Sequence, residues 1–147
     1  MKIAIVSHLT GDILFEHEEE NNTVSRTLEE AVTAGVSLEG ADLGRTYLAG
    51  ANLRGAKLSR ANLSEAYLEV TDLSGAILTE ANFVGAILQW TVFEGADLRH
   101  ADLRGADLRG ANLRDARLYG TEIRRARFLG ADFDGAKWNQ PTASTED

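Results

Sequence analysis

The chain has 147 residues, of which 44% are apolar, a composition typical of one ordered domain. It contains no cysteine, which excludes disulfide bonds, thiolate metal sites and a cysteine nucleophile. The formal net charge of -8 is unevenly placed: residues 1–35 carry seven acidic and two basic side chains, residues 36–140 fourteen and thirteen, and residues 141–147 two acidic ones.

The first 35 residues predict a small structured unit. The segment "MKIAIVSHLTGDILFEHE" is typical of two short strands around a turn at Thr10 and Gly11. The following "TLEEAVTAG" predicts a short helix with a capping box from Thr27 to Glu30 and a stop at Gly35. The apolar run "IAIV" is too short for a signal peptide or a membrane span, so we expect a cytoplasmic protein.

Residues 36–140 divide without a break into twenty-one pentapeptides. We number each pentapeptide from its central residue i, which is leucine in most repeats from Leu38 to Leu118. The residue at i-2 is alanine in sixteen repeats. The other central residues are large and apolar too: Phe83, Phe93, Ile123, Phe128, Phe133 and Trp138.

A period of five fits neither an amphipathic helix nor one long strand. Steps of five rotate successive side chains by about 140° around a helix, and they alternate between the two faces of a strand. The period does fit a closed coil of short extended pieces, in which i-2 and i point inward and a turn follows. Glycine at i+2 in eleven repeats marks the corners, and the frequent Asp or Asn at i-1 ties down the backbone.

The motifs "ADLRG", "ANLSE", "ANFVG" and "ADFDG" resemble the A(D/N)LXX motif of the pentapeptide repeat proteins. The resemblance implies an all-β fold, a right-handed quadrilateral β-helix with four pentapeptides per coil and about five coils. It also implies that the hairpin and helix of residues 1–35 cap the solenoid of residues 36–140. Residues 141–147 are then expected to be a flexible acidic tail.

Two groups of apolar residues are candidate contact sites. In a coil of four repeats, residues twenty apart stack, which brings together Tyr47, Tyr67, Ile87 and, beside them, Val70, Trp90 and Val92. Such a cluster predicts a surface for a protein partner, unless the rings lie flat on the coil or under the N-terminal segment. At the other end, the aromatic residues either close the core or support an end-to-end homodimer: Phe128, Phe133 and Trp138.

The arginines of "ADLRHADLRGADLRGANLRDARL" all occupy i+1 and so fall on four different faces. Aspartates at i-1 are interleaved with them, and Arg117 and Arg127 should stack on Asp97 and Asp107. This pattern predicts a solvated charge ladder, with no direct binding of nucleic acid and no membrane contact.

Catalytic constellations are missing from the sequence. His8, His17 and His100 have no metal-ligand spacing, although His8 and His17 could approach each other across the hairpin. We expect no enzyme, no metal and no cofactor, and a rigid protein-protein interaction module instead. The family offers an alternative, a DNA mimic that binds DNA gyrase and confers quinolone resistance, but that activity needs a strongly negative solenoid.

Overall fold

A computed structural model describes residues 1–138. From Ser37 onward, single parallel β-bridges join residues that are twenty positions apart, such as Tyr67 and Ile87. Four pentapeptides therefore separate two stacked residues, and this part of the chain is a solenoid of pentapeptide repeats. The predicted acidic tail at 141–147 lies outside the described residues.

Each short extended piece is hydrogen-bonded to the layers below and above it. The Tyr67 N–H donates to the carbonyl of Thr46 at 2.9 Å, and the Leu68 N–H donates to the carbonyl of Ile87 at 2.8 Å. The same pattern recurs along the solenoid, and turn hydrogen bonds within each layer add to it, such as the Ala66 N–H donating to the Leu63 carbonyl at 3.2 Å. Buried backbone groups therefore find partners both between layers and at the corners.

The interior follows the five-residue period. The central residues from Leu38 to Leu118 and the alanines at i-2 between Ala41 and Ala116 are fully or almost fully buried. Phe83 and Phe93 fit into the same core with their rings edge to face, 6.0 Å between centroids. Thr71 and Thr91 replace alanine at buried positions, and their hydroxyls donate to the carbonyls of Leu48 and Leu68. The predicted inward positions are confirmed.

All the corners between Gly40 and Gly135 adopt a left-handed backbone, with φ between +55° and +75°. Eleven of these corners are glycine, as the sequence indicated. Nine carry a side chain in a conformation that costs an L-residue about 1–2 kcal/mol: Arg45, Arg60, Glu65, Val70, Glu80, Trp90, His100, Asp115 and Arg125.

The Asp and Asn side chains at i-1 hold these corners in place. The Asn82 Oδ1 accepts the Val84 N–H at 2.9 Å, and Asp72 Oδ1 accepts the Ser74 N–H at 2.9 Å. These are Asx turns that span the central residue and satisfy a backbone donor at the corner. The predicted structural role of these residues is confirmed.

The N-terminal segment is an antiparallel hairpin followed by a helix. Strand β1 (Lys2–Val6) pairs with strand β2 (Ile13–Glu18), and Gly11 in the connection has φ +79°. Helix α1 spans Val24–Thr33. Within residues 1–138, no helix is long and apolar enough to cross a membrane.

The predicted start of the helix is wrong by one turn. The N-cap is Thr23, whose hydroxyl accepts the Arg26 N–H, whereas Thr27 lies buried inside α1 and donates to the Thr23 carbonyl. The earlier start lets Val24, Leu28 and Ala31 pack on the core along one face. The helix ends before Gly35, which has φ +69°.

This segment is joined to the first layer of the solenoid. The Asp42 N–H donates to the Val6 carbonyl and the His8 N–H to the Gly40 carbonyl, both at 2.8 Å. Ser7 and Ala41 form an antiparallel bridge there. The hairpin strand therefore pairs with backbone groups at the first layer that lack a preceding layer.

Candidate interaction surface

Tyr47, Tyr67 and Ile87 form one outward-facing column, as predicted. β-Bridges join Tyr47 to Tyr67 and Tyr67 to Ile87. The two tyrosine rings are parallel within 1° and their centroids are 4.3 Å apart. Tyr47 is 72% exposed, so the N-terminal segment does not cover it.

Val70 and Trp90 occupy the corner that follows this column, and they are 63% and 64% exposed. Both have a left-handed backbone, with φ +59° and +60°. The indole ring lies over the next corner, because a Cβ atom at Gly110 would come within 2.5 Å of Trp90 Cε3. The indole ring therefore lies on the coil, as the alternative interpretation expected, yet Trp90 as a whole is mostly exposed to solvent.

Val92 extends the cluster onto the next face of the solenoid, where it is bridged to Asp72 and Asn112. The structure therefore brings all six predicted residues onto two adjoining faces and the corner between them. We call this set the tyrosine–tryptophan surface: Tyr47, Tyr67, Val70, Ile87, Trp90 and Val92.

A shallow groove of about 380 Å³ runs along the other side of the tyrosine column. An ion pair forms part of its wall, with Arg45 Nη2 at 3.1 Å from Glu65 Oε1. Gly85 at the same corner has no side chain, and a Cβ atom there would lie 3.5 Å from Glu65 Cγ. The lining residues are Arg45, Tyr47, Glu65, Tyr67, Gly85 and Ile87.

The three C-terminal aromatic residues form one cluster. The rings of Phe128 and Phe133 are 5.3 Å apart between centroids, as are those of Phe133 and Trp138. All three are only partly buried and pack against the core from its last layer. This packing fits the interpretation that the three residues close the core. Because they are still partly exposed, contact with another molecule stays a prediction.

Three arginines of the repetitive tract form forks within their own repeats. Arg109 is typical: its Nε donates to Asp107 Oδ1 at 2.8 Å and its Nη2 to Asp107 Oδ2 at 2.6 Å. Arg99 holds Asp97 and Arg104 holds Asp102 in the same way. In each pair, the hydrogen bonds from the arginine lower the pKa of the aspartate, in Asp107 to about 2.

The predicted arginine–aspartate pairs between layers are present, and their distances are longer than those of the forks within one repeat. Arg117 Nη1 lies 3.8 Å from Asp97 Oδ2, and Arg127 Nη1 lies 3.5 Å from Asp107 Oδ2. Arg114 follows asparagine rather than aspartate, and it reaches the next layer to bind Asp132 and Asp134. The charge ladder is confirmed, and the residue at i-1 decides whether the arginine pairs within its repeat or above it.

The sequence did not predict an arginine-lined depression at the corner beyond the groove. Its volume is about 770 Å³, and it is lined by Val84, Arg104, Gly105, Arg124 and Arg125. The stacking of Arg124 on Arg104 was evident from the twenty-residue spacing. The contribution of Arg125 was not, because the repeat pattern identifies its position only as a corner.

The histidines do not form a site. His17 pairs with Ile3 in the hairpin, whereas His8 lies beyond the other end of β1, where its Nε2 contacts the Arg60 carbonyl. The predicted approach of the two rings is wrong, because they lie toward opposite ends of the hairpin. Among the residues that the structure describes, no group of histidine and acidic side chains could hold a metal ion.

One family model and several solved structures match this chain. The family model of pentapeptide repeats matches residues 34–69, 56–95, 91–128 and 101–140. A pentapeptide repeat protein, Rfr23, from the cyanobacterium Cyanothece 51142 is 31% identical, with 70% of this chain and 88% of that chain covered and a TM-score of 0.39. No curated protein sequence matches significantly.

Two further solved structures are similar over shorter shares of their own length. A pentapeptide repeat protein from the Arabidopsis thaliana thylakoid lumen is 30% identical, with 65% of this chain and 63% of that chain covered and a TM-score of 0.33. QnrB1, described as a plasmid-mediated fluoroquinolone resistance protein, is 22% identical, with 67% and 60% covered and a TM-score of 0.32.

Proposed function

The chain belongs to the pentapeptide repeat family, and on that premise we propose that it is a non-enzymatic, rigid module that presents the tyrosine–tryptophan surface to a protein partner. Tyrosine and tryptophan are enriched at binding hot spots because they offer a large contact area at a small cost in conformational entropy. The solenoid holds them in fixed positions, since Tyr67 and Trp90 are anchored by backbone hydrogen bonds between layers, as are Thr46 and Leu48 on either side of Tyr47.

The observation that carries this proposal is the presence of Val70 and Trp90 at left-handed, exposed corners. Glycine avoids the strain at such a corner, and it is the residue found at most of the others. Next to Val70, one carboxylate oxygen of Glu69 is buried without a hydrogen-bond partner among residues 1–138. Unfavourable features of this kind cluster at functional sites.

A pull-down from the native host tests the proposal. Tyr67→Glu and Trp90→Asp place charges on the surface, and aspartate tolerates the left-handed backbone at position 90. We expect both variants to fold and to lose the same specific partner, identified by quantitative mass spectrometry.

Tyr119→Glu is the matched control, because Tyr119 is an exposed tyrosine on another face of the solenoid. It should retain the partner. If Tyr67→Glu and Trp90→Asp recover every specific partner in wild-type amounts while remaining folded, the surface is not the interface.

The finer architecture is part of the same proposal. We take the solenoid to be right-handed and quadrilateral, with about five coils. The hairpin and α1 act as its N-terminal cap, supported by the hydrogen bonds of Asp42 and His8 to the neighbouring segment. Phe128, Phe133 and Trp138 are the contact of an end-to-end homodimer, supported by their partial exposure in the last layer.

The charge distribution gives less support to a DNA mimic that acts on gyrase. A mimic needs a strongly negative surface, whereas thirteen basic side chains accompany fourteen acidic ones in residues 36–140. The arginine forks also place a guanidinium directly on Asp97, Asp102 and Asp107. The acids of the repetitive tract are thus locally neutralised.

A further inference from the structure

The corner between the arginine-lined depression and the tyrosine groove contains a notch. Its successive residues are Arg45, Glu65, Gly85, Gly105 and Arg125. Gly85 and Gly105 are adjacent in this column and leave a gap, because the other three residues carry long side chains. A Cβ atom at Gly105 would meet no atom within 4 Å, so the gap is open space rather than a close packing contact.

Guanidinium groups above this notch have unfilled hydrogen-bonding capacity. Arg124 is 77% exposed at its side chain and approaches an acid, Glu122, only at 3.9 Å. Arg125 has no acidic side chain within 4.0 Å in residues 1–138. Arg114 is the contrasting case, because it is paired with both Asp132 and Asp134.

The notch also offers apolar surface. Val84 lines the arginine-lined depression, and Gly85, the next residue, lines the groove together with Tyr67 and Ile87. A ligand that fills the notch therefore meets guanidinium donors at one end and an apolar wall at the other.

We propose that the notch binds an acidic peptide segment of the partner protein, with a carboxylate held by Arg124 and Arg125 and an apolar side chain against Val84 and Ile87. This inference rests on the proposed function and names the chemistry of the partner. Planar guanidinium groups bind carboxylates through paired hydrogen bonds, which gives geometric specificity.

The surroundings favour separate carboxylates over a run of phosphates. Glu65, Asp102 and Glu122 flank the notch and repel a continuous polyanion. A peptide can space its acidic side chains so that each carboxylate meets an arginine and avoids these acids. A nucleic acid cannot change the spacing of its phosphates in the same way.

Fluorescence anisotropy with a short labelled peptide of alternating glutamate and leucine tests the proposal on the full chain. A second labelled peptide carries glutamine in place of glutamate. We expect the glutamate peptide to bind in a salt-dependent manner. The glutamine peptide should bind at least roughly tenfold more weakly, because its hydrogen bonds to the arginines are no longer charge-assisted on both sides.

Two variants locate the binding site. Arg124→Gln combined with Arg125→Asn removes both guanidinium groups and keeps a residue that tolerates a left-handed corner. Gly105→Asn fills the notch without changing the charge. Each should weaken binding of the glutamate peptide by roughly tenfold or more.

The matched controls are Arg114→Gln, which removes a fully paired arginine, and Gly95→Asn, which adds the same side chain at an open corner elsewhere. Both should bind within about twofold of wild type. Circular dichroism and thermal melts establish that all four variants fold.

Equal binding of the two peptides, or an equal loss in Arg114→Gln, overturns the proposal. So does tighter binding of a single-stranded oligonucleotide than of the glutamate peptide in competition. Peptide binding that survives Trp90→Asp supports the notch even where the pull-down contradicts the tyrosine–tryptophan surface, which keeps the two failures distinct.

Discussion

Asp107 is the acidic side chain whose environment gives the clearest stability prediction. It is only 8% exposed, and its carboxylate accepts hydrogen bonds from Arg109 and from Gln89 Nε2 at 2.9 Å. Arg127 approaches from the next layer at 3.5 Å. These contacts favour the ionised form, and they lower the pKa from 3.8 to about 2.

The size of the effect follows from this fall in the pKa. It corresponds to about 2.5 kcal/mol of additional stability when the carboxylate is ionised, because a tenfold change in proton affinity equals about 1.4 kcal/mol. Because the folded pKa is below the unfolded one, this stability is complete above pH 4 and is lost as the pH falls toward 2. Asp107→Asn should therefore lower the free energy of unfolding by about 2 kcal/mol at pH 7 and by little at pH 2.

Urea titrations of wild type and Asp107→Asn at pH 7, 4 and 2 measure this difference. Asp12→Asn removes the same charge from an exposed turn residue and should change the free energy of unfolding by less than about 0.5 kcal/mol. A difference between wild type and Asp107→Asn that is the same at pH 7 and pH 2 would refute the electrostatic explanation.

Two further comparisons test the assignment of inward, outward and corner positions. Leu68→Ala should lower the free energy of unfolding by about 2–5 kcal/mol, and Arg104→Ala by about 1 kcal/mol or less; equal losses in a denaturant titration contradict the inward and outward assignments. Gly50→Val should lower the free energy of unfolding by about 1–2 kcal/mol, because the φ of Gly50 is +73°. Val70→Gly should change the free energy of unfolding by less than about 1 kcal/mol, since the relief of strain offsets the lost burial. Melting temperatures that shift equally in the two variants exclude corner strain as the cause.

The sequence predicted the solenoid because the period of five has so few geometric solutions. Each repeat places one large and one small apolar residue on the same side, and only a coil with regular corners turns every such pair inward. The stacking of Tyr47 on Tyr67 follows directly from four repeats per coil. These properties depend on backbone geometry alone, which the repeat imposes at every layer.

The start of α1 could not be predicted from the local sequence pattern. Both Thr23 and Thr27 are good N-cap residues, and Glu30 made Thr27 the stronger candidate by its local pattern. The choice is decided by tertiary packing, since the earlier start buries Leu28 and allows Thr27 to donate to a backbone carbonyl. A local pattern contains no information on that packing.

The arginine forks were missed because they depend on side-chain rotamers rather than on the repeat. Stacking between layers could be counted from the spacing of twenty, whereas the fork needs the side chain at i+1 to turn back over the one at i-1. Aspartate at i-1 allows this in Arg104, and asparagine at the same position sends Arg114 to the next layer. The distinction between "ADLR" and "ANLR" is thus a local rule that the sequence contains and the repeat pattern conceals.

The corners that carry a side chain instead of glycine are the positions that the fold alone does not explain. Every corner between Gly40 and Gly135 takes a left-handed backbone, so glycine suits each of them and any other residue adds strain. Arg45 and Glu65 form an exposed ion pair with each other between adjacent layers, which offsets only part of that strain. Six other non-glycine corners within residues 1–138 have no ion pair: Val70, Glu80, Trp90, His100, Asp115 and Arg125. Three of these border the surfaces to which we assign a partner, namely Val70, Trp90 and Arg125. The strain of a left-handed corner alone therefore does not distinguish Val70, Trp90 and Arg125 from the remaining corners. Their exposure beside the tyrosine–tryptophan surface and the notch makes them the corners at which the proposed binding is to be tested.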